Sequence, residues 1–351
     1  MSISLLSTNQ IRALSTTSVQ ALSTTQISAM TSTQIGALSS SAVETMSATQ
    51  IGALSTSQVR GLTATQIPYL AAQLSFSGEQ LAVLGEFQVK ALTTTQLSGL
   101  DATKVGALTT SQIKALTTTQ LGALTTTDIG ELSSTQIRAL SVSQVGALAT
   151  TQVAALSTTQ IGGLTTSQVG GLSATNLSAL DSTQVASLTN TQIGGVTATQ
   201  IRGLSATDVG ELSATQIGAL NASQIGALST TNLSALDATQ AGALSGTQLR
   251  ALSTAQVQGL TSTDIGEFSG TQLAALSASQ VGALTTTVIG ALTTTNIDPL
   301  TSTQIRALST TQIDQLSTTN IAALSETQLA GFDATQVGSM SDEQITAYLG
   351  L

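Results

Sequence analysis

Ser213–Leu220 reads SATQIGAL, and almost the whole chain is built from variants of this octad. Numbered from its Ser, the unit carries Ser213 at position 1, Gln216 at position 4, Ile217 at position 5 and Leu220 at position 8. The order S/T-x-x-Q is that of a helix capping box. The first side chain accepts from a backbone N–H of the opening turn, and the Gln three residues on reaches back to the N–H of the cap residue. Leu212 before the cap and Ile217 after the Gln stand where a hydrophobic staple needs apolar residues. Each octad therefore spells one helix start, and the next start arrives before a second full turn develops.

Substitutions within the chain agree with this reading. The octads run in step from Ser7 to Leu70 and again from Ser77 to Tyr348, about 42 in all. At position 1 the replacements for Ser and Thr are Asp101, Asp181, Asp237, Asp333, Asn221, Gly85 and Ala149. All but Ala149 belong to the set preferred at helix N-caps. At position 4 Gln gives way to Asp128, Asp208 and Asp264, which the positive end of a helix dipole favours. Position 5 is Ile, Val or Leu except at Ala241, and position 7 is mostly Ala or Gly. Eight of the nine basic residues fall at position 6: Arg12, Arg60, Lys90, Lys114, Arg138, Arg202, Arg250 and Arg306. A position that accepts Arg, Lys, Asp298, Gly and Ser alike faces water. The ninth, Lys104, replaces a Gln.

Composition narrows the chemistry. Cys and His are absent, which removes disulfides, thiol nucleophiles, the usual zinc sites and the usual general base. No catalytic residue, cofactor-binding residue or metal ligand is expected, and the chain reads as a non-enzyme. The net charge of −9 argues against nucleic acid, which needs a basic face, and against anionic membrane surfaces. Each apolar run is cut after three or four residues by the polar half of the octad, so no membrane span is expected where about 20 residues are needed. The start, MSISLLSTNQ, lacks the basic n-region of an ordinary signal peptide.

Five segments follow. Residues 1–6 form an N-terminal cap, 7–70 an octad array, 71–92 an irregular phase break, 93–340 a second array and 341–351 a C-terminal cap. The break holds AAQLSF at 71–76, two residues short of an octad. It reads as a tolerated deletion or as a boundary between two arrays. Pro299 at position 7 is expected to bend one junction. SATNLSALD at 173–181 returns as STTNLSALD at 229–237, and SATDVGEL at 205–212 returns as TSTDIGEF at 261–268, both seven octads on. A block of that length has been duplicated.

One long helix cannot accommodate an octad. Eight residues turn through about 800°, so an apolar seam drifts about 80° per repeat. A flat strand fails too, because positions 5 and 8 have opposite parity and point to opposite faces. A short helical turn puts both on one side, because i and i+3 share a helix face. One octad is too small to bury a core, so neighbours must share one. The expected fold is all-α: an elongated solenoid of very short capped helices, one per octad, with two octads per coil as the simplest closed rung. That coil implies a body of roughly 170–210 Å at 8–10 Å per helix layer, shortened by one coil on deletion of two octads such as Ser213–Leu228. Ile, Val, Leu and Ala are placed inside, Thr, Ser and Arg outside. The alternative is a β-solenoid with stacked Thr and Gln rows.

Three octads pair an Asp at position 4 with a Glu at position 7: Asp128/Glu131, Asp208/Glu211 and Asp264/Glu267. Such pairs raise the question of cation binding, but Ca²⁺ takes six to eight oxygens, and a solvated pair at a helix start is the simpler reading. The tandem S/T-x-x-Q-I/V-x-A-L octad resembles repeat regions of large bacterial secreted and cell-surface proteins. The resemblance implies a structural or adhesive role, at the cell surface or secreted, and transfers no site residue. The expected function is a non-enzymatic structural repeat: a rod, spacer or adhesin-like scaffold. The alternative is a binding module presenting Thr/Ser rows to a repetitive ligand such as polysaccharide or ice. The partners so implied are a second copy of the chain or a repetitive surface ligand.

Overall fold

The computed structural model describes residues 3–71 and 75–351 and divides by its contacts into two units, Met1–Leu172 and Ser173–Leu351. Both are built the same way. Nearly every octad forms one short α-helix, from four to eight residues long, and no strand occurs among the described residues. The β-solenoid alternative is thereby excluded. In the octad 213–220, the Ser213 hydroxyl accepts the Gln216 N–H at 3.2 Å, and the Ser213 N–H donates to Gln216 Oε1 at 2.9 Å. Where the cap has no hydroxyl, half of the box survives: Ala149 N–H still donates to Gln152 Oε1 at 2.9 Å. The helix ends with Leu220 N–H donating to the Ile217 carbonyl at 3.2 Å. Leu220 (φ −63°, ψ 135°) and the next cap, Asn221 (φ −79°, ψ 166°), are both extended. Two extended residues turn the corner, so no left-handed residue is needed. Among the described residues positive φ is confined to Gly350, which follows the last helix.

A coil takes three octads, not two. Helix Ser32–Ala37 packs on Thr56–Gly61, Ala214–Ala219 on Ala238–Gly242, and Thr286–Gly290 on Thr310–Ile313. Partners are three helices, and so three octads, apart. A two-octad coil needs a full reversal at each corner, whereas three octads per coil require only about a third of a circle from the extended pair at positions 8 and 1. Each coil is therefore triangular, and its core is fed from three sides. The estimate of roughly 170–210 Å rested on the two-octad coil and falls with it, as does the two-octad deletion as the unit of shortening.

Positions 5 and 8 line the interior in most repeats: Ile217 is 0% and Leu220 3% exposed. Position 6 faces water, as at Lys90, Arg138 and Arg202. The Ala of position 7 is half-exposed or exposed at nearly every repeat that carries it, not inside, because it lies at the edge where successive coils touch. Close approach explains only some glycines. A Cβ on Gly36 would fall 2.5 Å from the Gly61 carbonyl oxygen, and one on Gly282 2.6 Å from that of Ala307, while at Gly106 or Gly242 it would meet nothing.

The segment 71–92 holds two regular helices, Gly78–Ala82 and Glu86–Ala91; its residues 72–74 lie outside the described residues. Stacking continues through it: Thr56–Gly61 packs on Gly78–Ala82 and the 3-10 turn Ile67–Tyr69 on Glu86–Ala91. Here a coil closes two residues short of three octads. Pro299 leaves its junction unchanged, since Leu300 N–H reaches the Ile297 carbonyl at 3.0 Å like its counterparts elsewhere. Position 7 tolerates Pro because the closing bond belongs to the N–H of position 8; Pro299 forgoes only the N–H that position 7 donates elsewhere, as Ala291 does to the Thr287 carbonyl at 3.2 Å. In the N-terminal cap, residues 1 and 2 lie outside the described residues, and Ile3–Leu5 forms a 3-10 turn. In the C-terminal cap, Asp342–Leu349 is the longest helix, and Tyr348 meets Phe332 edge-on at 6.0 Å. No helix among the described residues is long and apolar enough to cross a membrane.

Candidate functional site: a buried glutamine ladder interrupted by carboxylates

The polar chemistry of the interior belongs to position 4. Gln216 is 3% exposed. Its Oε1 accepts the cap N–H, and its Nε2 donates to two carbonyls of the coil below, Val185 at 2.8 Å and Leu188 at 2.9 Å. Gln58 does the same to Ile27 and Met30, both at 2.7 Å, and Gln344 to Ile313 and Leu316 at 2.9 and 2.7 Å. The acceptors stand at positions 5 and 8 of the octad four earlier. Through the short coil the same pairing holds with the spacing reduced by two, as for Gln88 to Val59 and Leu62. One amide thus caps its own helix and satisfies the carbonyl end of another, which removes the penalty of burying helix ends without partners. The cap half was readable from S/T-x-x-Q. The second half was not, because its acceptors are fixed only by the number of octads per coil.

Departures from Gln follow donor chemistry. Asn is one methylene shorter: Asn232 and Asn320 reach only the position 8 carbonyl, of Leu204 at 3.0 Å and of Leu292 at 2.7 Å, and neither completes a capping box. Asp brings no side-chain donor at all. Asp128, Asp208 and Asp264 keep the cap contact, accepting Thr125, Ser205 and Thr261 N–H at 2.6, 2.7 and 2.7 Å. In two of them a hydroxyl of the coil below supplies what the carboxylate lacks: Ser178 donates to Asp208 and Ser234 to Asp264, both at 2.7 Å. At the third, Ser98 turns instead to the Thr95 carbonyl at 3.4 Å, and Glu131 Oε2 is buried without a partner.

The paired glutamates share this ground. Burial, then the neighbouring Asp208 and Asp181 carboxylates, raises the Glu211 pKa above its ordinary value. Burial, then Asp264 and Asp237, does the same to Glu267. The structure therefore adds the N-cap residues Asp181 and Asp237 to the pairs marked in the sequence. Asp101 is the opposite case: the Lys104 backbone N–H at 3.0 Å, and its ammonium at 3.4 Å, hold that exposed carboxyl below its usual range. Among the described residues no group of three or more Asp or Glu is disposed to hold a metal ion. A cavity of about 30 Å³ beneath Asp208 and Glu211, walled by Leu177, Leu180, Leu204 and Leu212, has room for a water and none for the few hundred Å³ of an organic ligand.

The ALTTAQ repeat model matches residues 3–40, 81–118, 102–134, 121–158, 147–174 and 296–326. Its frame is visible at 115–120, ALTTTQ, which starts at position 7, crosses the corner and ends on the ladder Gln. The comparison of the chain with curated proteins gives no match.

Proposed function

For a chain carrying tandem ALTTAQ repeats we propose a non-enzymatic scaffold: a spacer that acts through the length of its coil stacks and the repetition of their surface. The observation that carries this is the glutamine ladder, which spends the buried polar groups of nearly every octad on joining one coil to the next. The cavity beneath Asp208 and Glu211 is too small for a substrate, and the recurrent carboxylates Asp208 and Asp264 are tied to caps and hydroxyls. The resemblance to secreted and cell-surface repeat regions supports an extracellular setting. Small-angle scattering of the full chain tests the proposal. The expected radius of gyration is well above the roughly 20 Å of a compact domain of this length; a value at that figure overturns it.

A second reading rests on Thr286, Thr310 and Thr311, which line an open cleft between neighbouring coils and present hydroxyls to a repetitive ligand. Retention of the full chain on an immobilised neutral polysaccharide, lost on Thr310→Val with Thr311→Val, is the outcome that favours it over a spacer.

A further inference from the structure

We propose that the Ser178–Asp208 and Ser234–Asp264 pairs are register keys, which fix which octad stacks on which in an array whose repeats are otherwise interchangeable. The problem they answer is built into the sequence. Every common octad offers the same Gln donors and the same two carbonyls, so a chain that loops out one octad can close the next coil with an equivalent set of contacts. Such a slip lengthens by one octad every stacking separation that spans the loop and keeps every apolar residue outside the loop on its face. Nothing in the Gln ladder distinguishes the two arrangements.

The Asp octads do distinguish them. A carboxylate at position 4 accepts the cap N–H but brings no hydrogen to the coil below. It needs a donor there, and position 6 of the octad four earlier supplies one only when it is Ser. Ser occurs at position 6 at Ser28, Ser98, Ser178 and Ser234, and each of the last three stands in the octad four before one with Asp at position 4. Those are Asp128, Asp208 and Asp264, the complete set of Asp at that position. Two of the three pairs are closed at 2.7 Å. Asp264 is 7% exposed, so the hydroxyl is not readily replaced by water. After a one-octad slip Asp264 would face Gly226, one octad before Ser234, and the buried carboxylate would lose its hydroxyl donor. Hydrogen bonds to charged groups are stronger than those between neutral groups.

The chain has no Cys, so disulfides report register cleanly. Thr230 and Gly259 touch across two coils, a Cβ on Gly259 falling 2.9 Å from that of Thr230, so the coils must part by about 0.6 Å to reach the roughly 3.5–4.5 Å of a disulfide; in the slipped array Gly259 would meet Ala222 instead. Full-length chains carrying Thr230→Cys with Gly259→Cys, or Ala222→Cys with Gly259→Cys, are unfolded in denaturant, refolded and oxidised. In the parent background the 230–259 bond is expected and the 222–259 bond stays at background. In the unlocked background, Ser234→Ala with Asp264→Gln, the common ladder donor is restored while the key is removed, and the 222–259 yield is expected to rise about tenfold, the scale of one charge-assisted hydrogen bond. Moving the key, with Ser234→Ala and Gly226→Ser while Asp264 is retained, is expected to make 222–259 the major product. A 222–259 yield equal to the parent's in both altered chains overturns the proposal. If the unlocked chain loses its helical circular dichroism, the moved key decides alone.

Discussion

At the scale of the residue, the ladder Gln does two jobs that the sequence shows only in part. Its spacing from Ser or Thr marks it as a cap partner, but Gln216 is buried because its amide also closes the Val185 and Leu188 carbonyls. Gln216→Ala removes the bond from the cap N–H and both inter-coil bonds and is expected to cost about 3 kcal/mol, at roughly 1 kcal/mol for each net hydrogen bond. Gln216→Asn, which keeps only the position 8 carbonyl reached by Asn232 and Asn320, is expected to cost about two-thirds as much on the same scale. Chemical denaturation of the two variants checks the order, and equal losses would mean that the bond to the position 8 carbonyl contributes nothing. The glutamates give a pH signature. Glu211 and Glu267 have pKa values raised in the fold, so the folded state binds their protons more tightly than the unfolded chain. Their contribution to stability is therefore fully present below the ordinary glutamate value of 4.5 and is lost as pH rises through the folded values. Glu211→Gln with Glu267→Gln is expected to raise the melting temperature at pH 7 and to flatten its slope between pH 4.5 and 7; an unchanged slope would contradict the assignment.

At the scale of the element, the octad was legible almost completely. Caps at position 1, apolar side chains at 5 and 8 and solvent at 6 all follow from hydrogen-bonding chemistry and a helix period, and Ser213, Ile217, Leu220 and Arg202 stand where that reasoning puts them. The corner was not legible. Whether two or three octads close a coil depends on the angle made by extended residues such as Leu220 and Asn221, and side-chain pattern carries no information about that angle. The burial of Gln and the half-exposure of Ala at position 7 both follow from the triangular coil and were missed with it. Because contacts are local, removal of one whole coil outside the Ser–Asp pairs, Ser269–Leu292, is expected to leave a folded chain. Its helical ellipticity per residue should match the parent's, with a melting temperature within about 5 °C. Cooperative loss of structure on that deletion would show that the stack is not a sum of neighbouring layers.

At the scale of the whole molecule, charge is divided unevenly. Residues 1–172 carry as many acidic as basic side chains, so the whole net charge of −9 lies in 173–351. The same stretch holds the two closed Ser–Asp pairs and both glutamates with raised pKa values. The ladder, the register keys and the unit of deletion all depend on three octads closing each coil, and one pair of disulfides tests that number. Gly290 lies at position 6, and a Cβ there would fall 3.7 Å from that of Gln315, one three-octad coil and a step later, within the roughly 3.5–4.5 Å that a disulfide requires. A two-octad coil would bring Gly290 against Ala307 instead. Mild oxidation of the Gly290→Cys/Gln315→Cys chain is expected to give a near-complete intramolecular disulfide, with none in Gly290→Cys/Ala307→Cys. The opposite pattern would contradict the triangular coil and the ladder built on it.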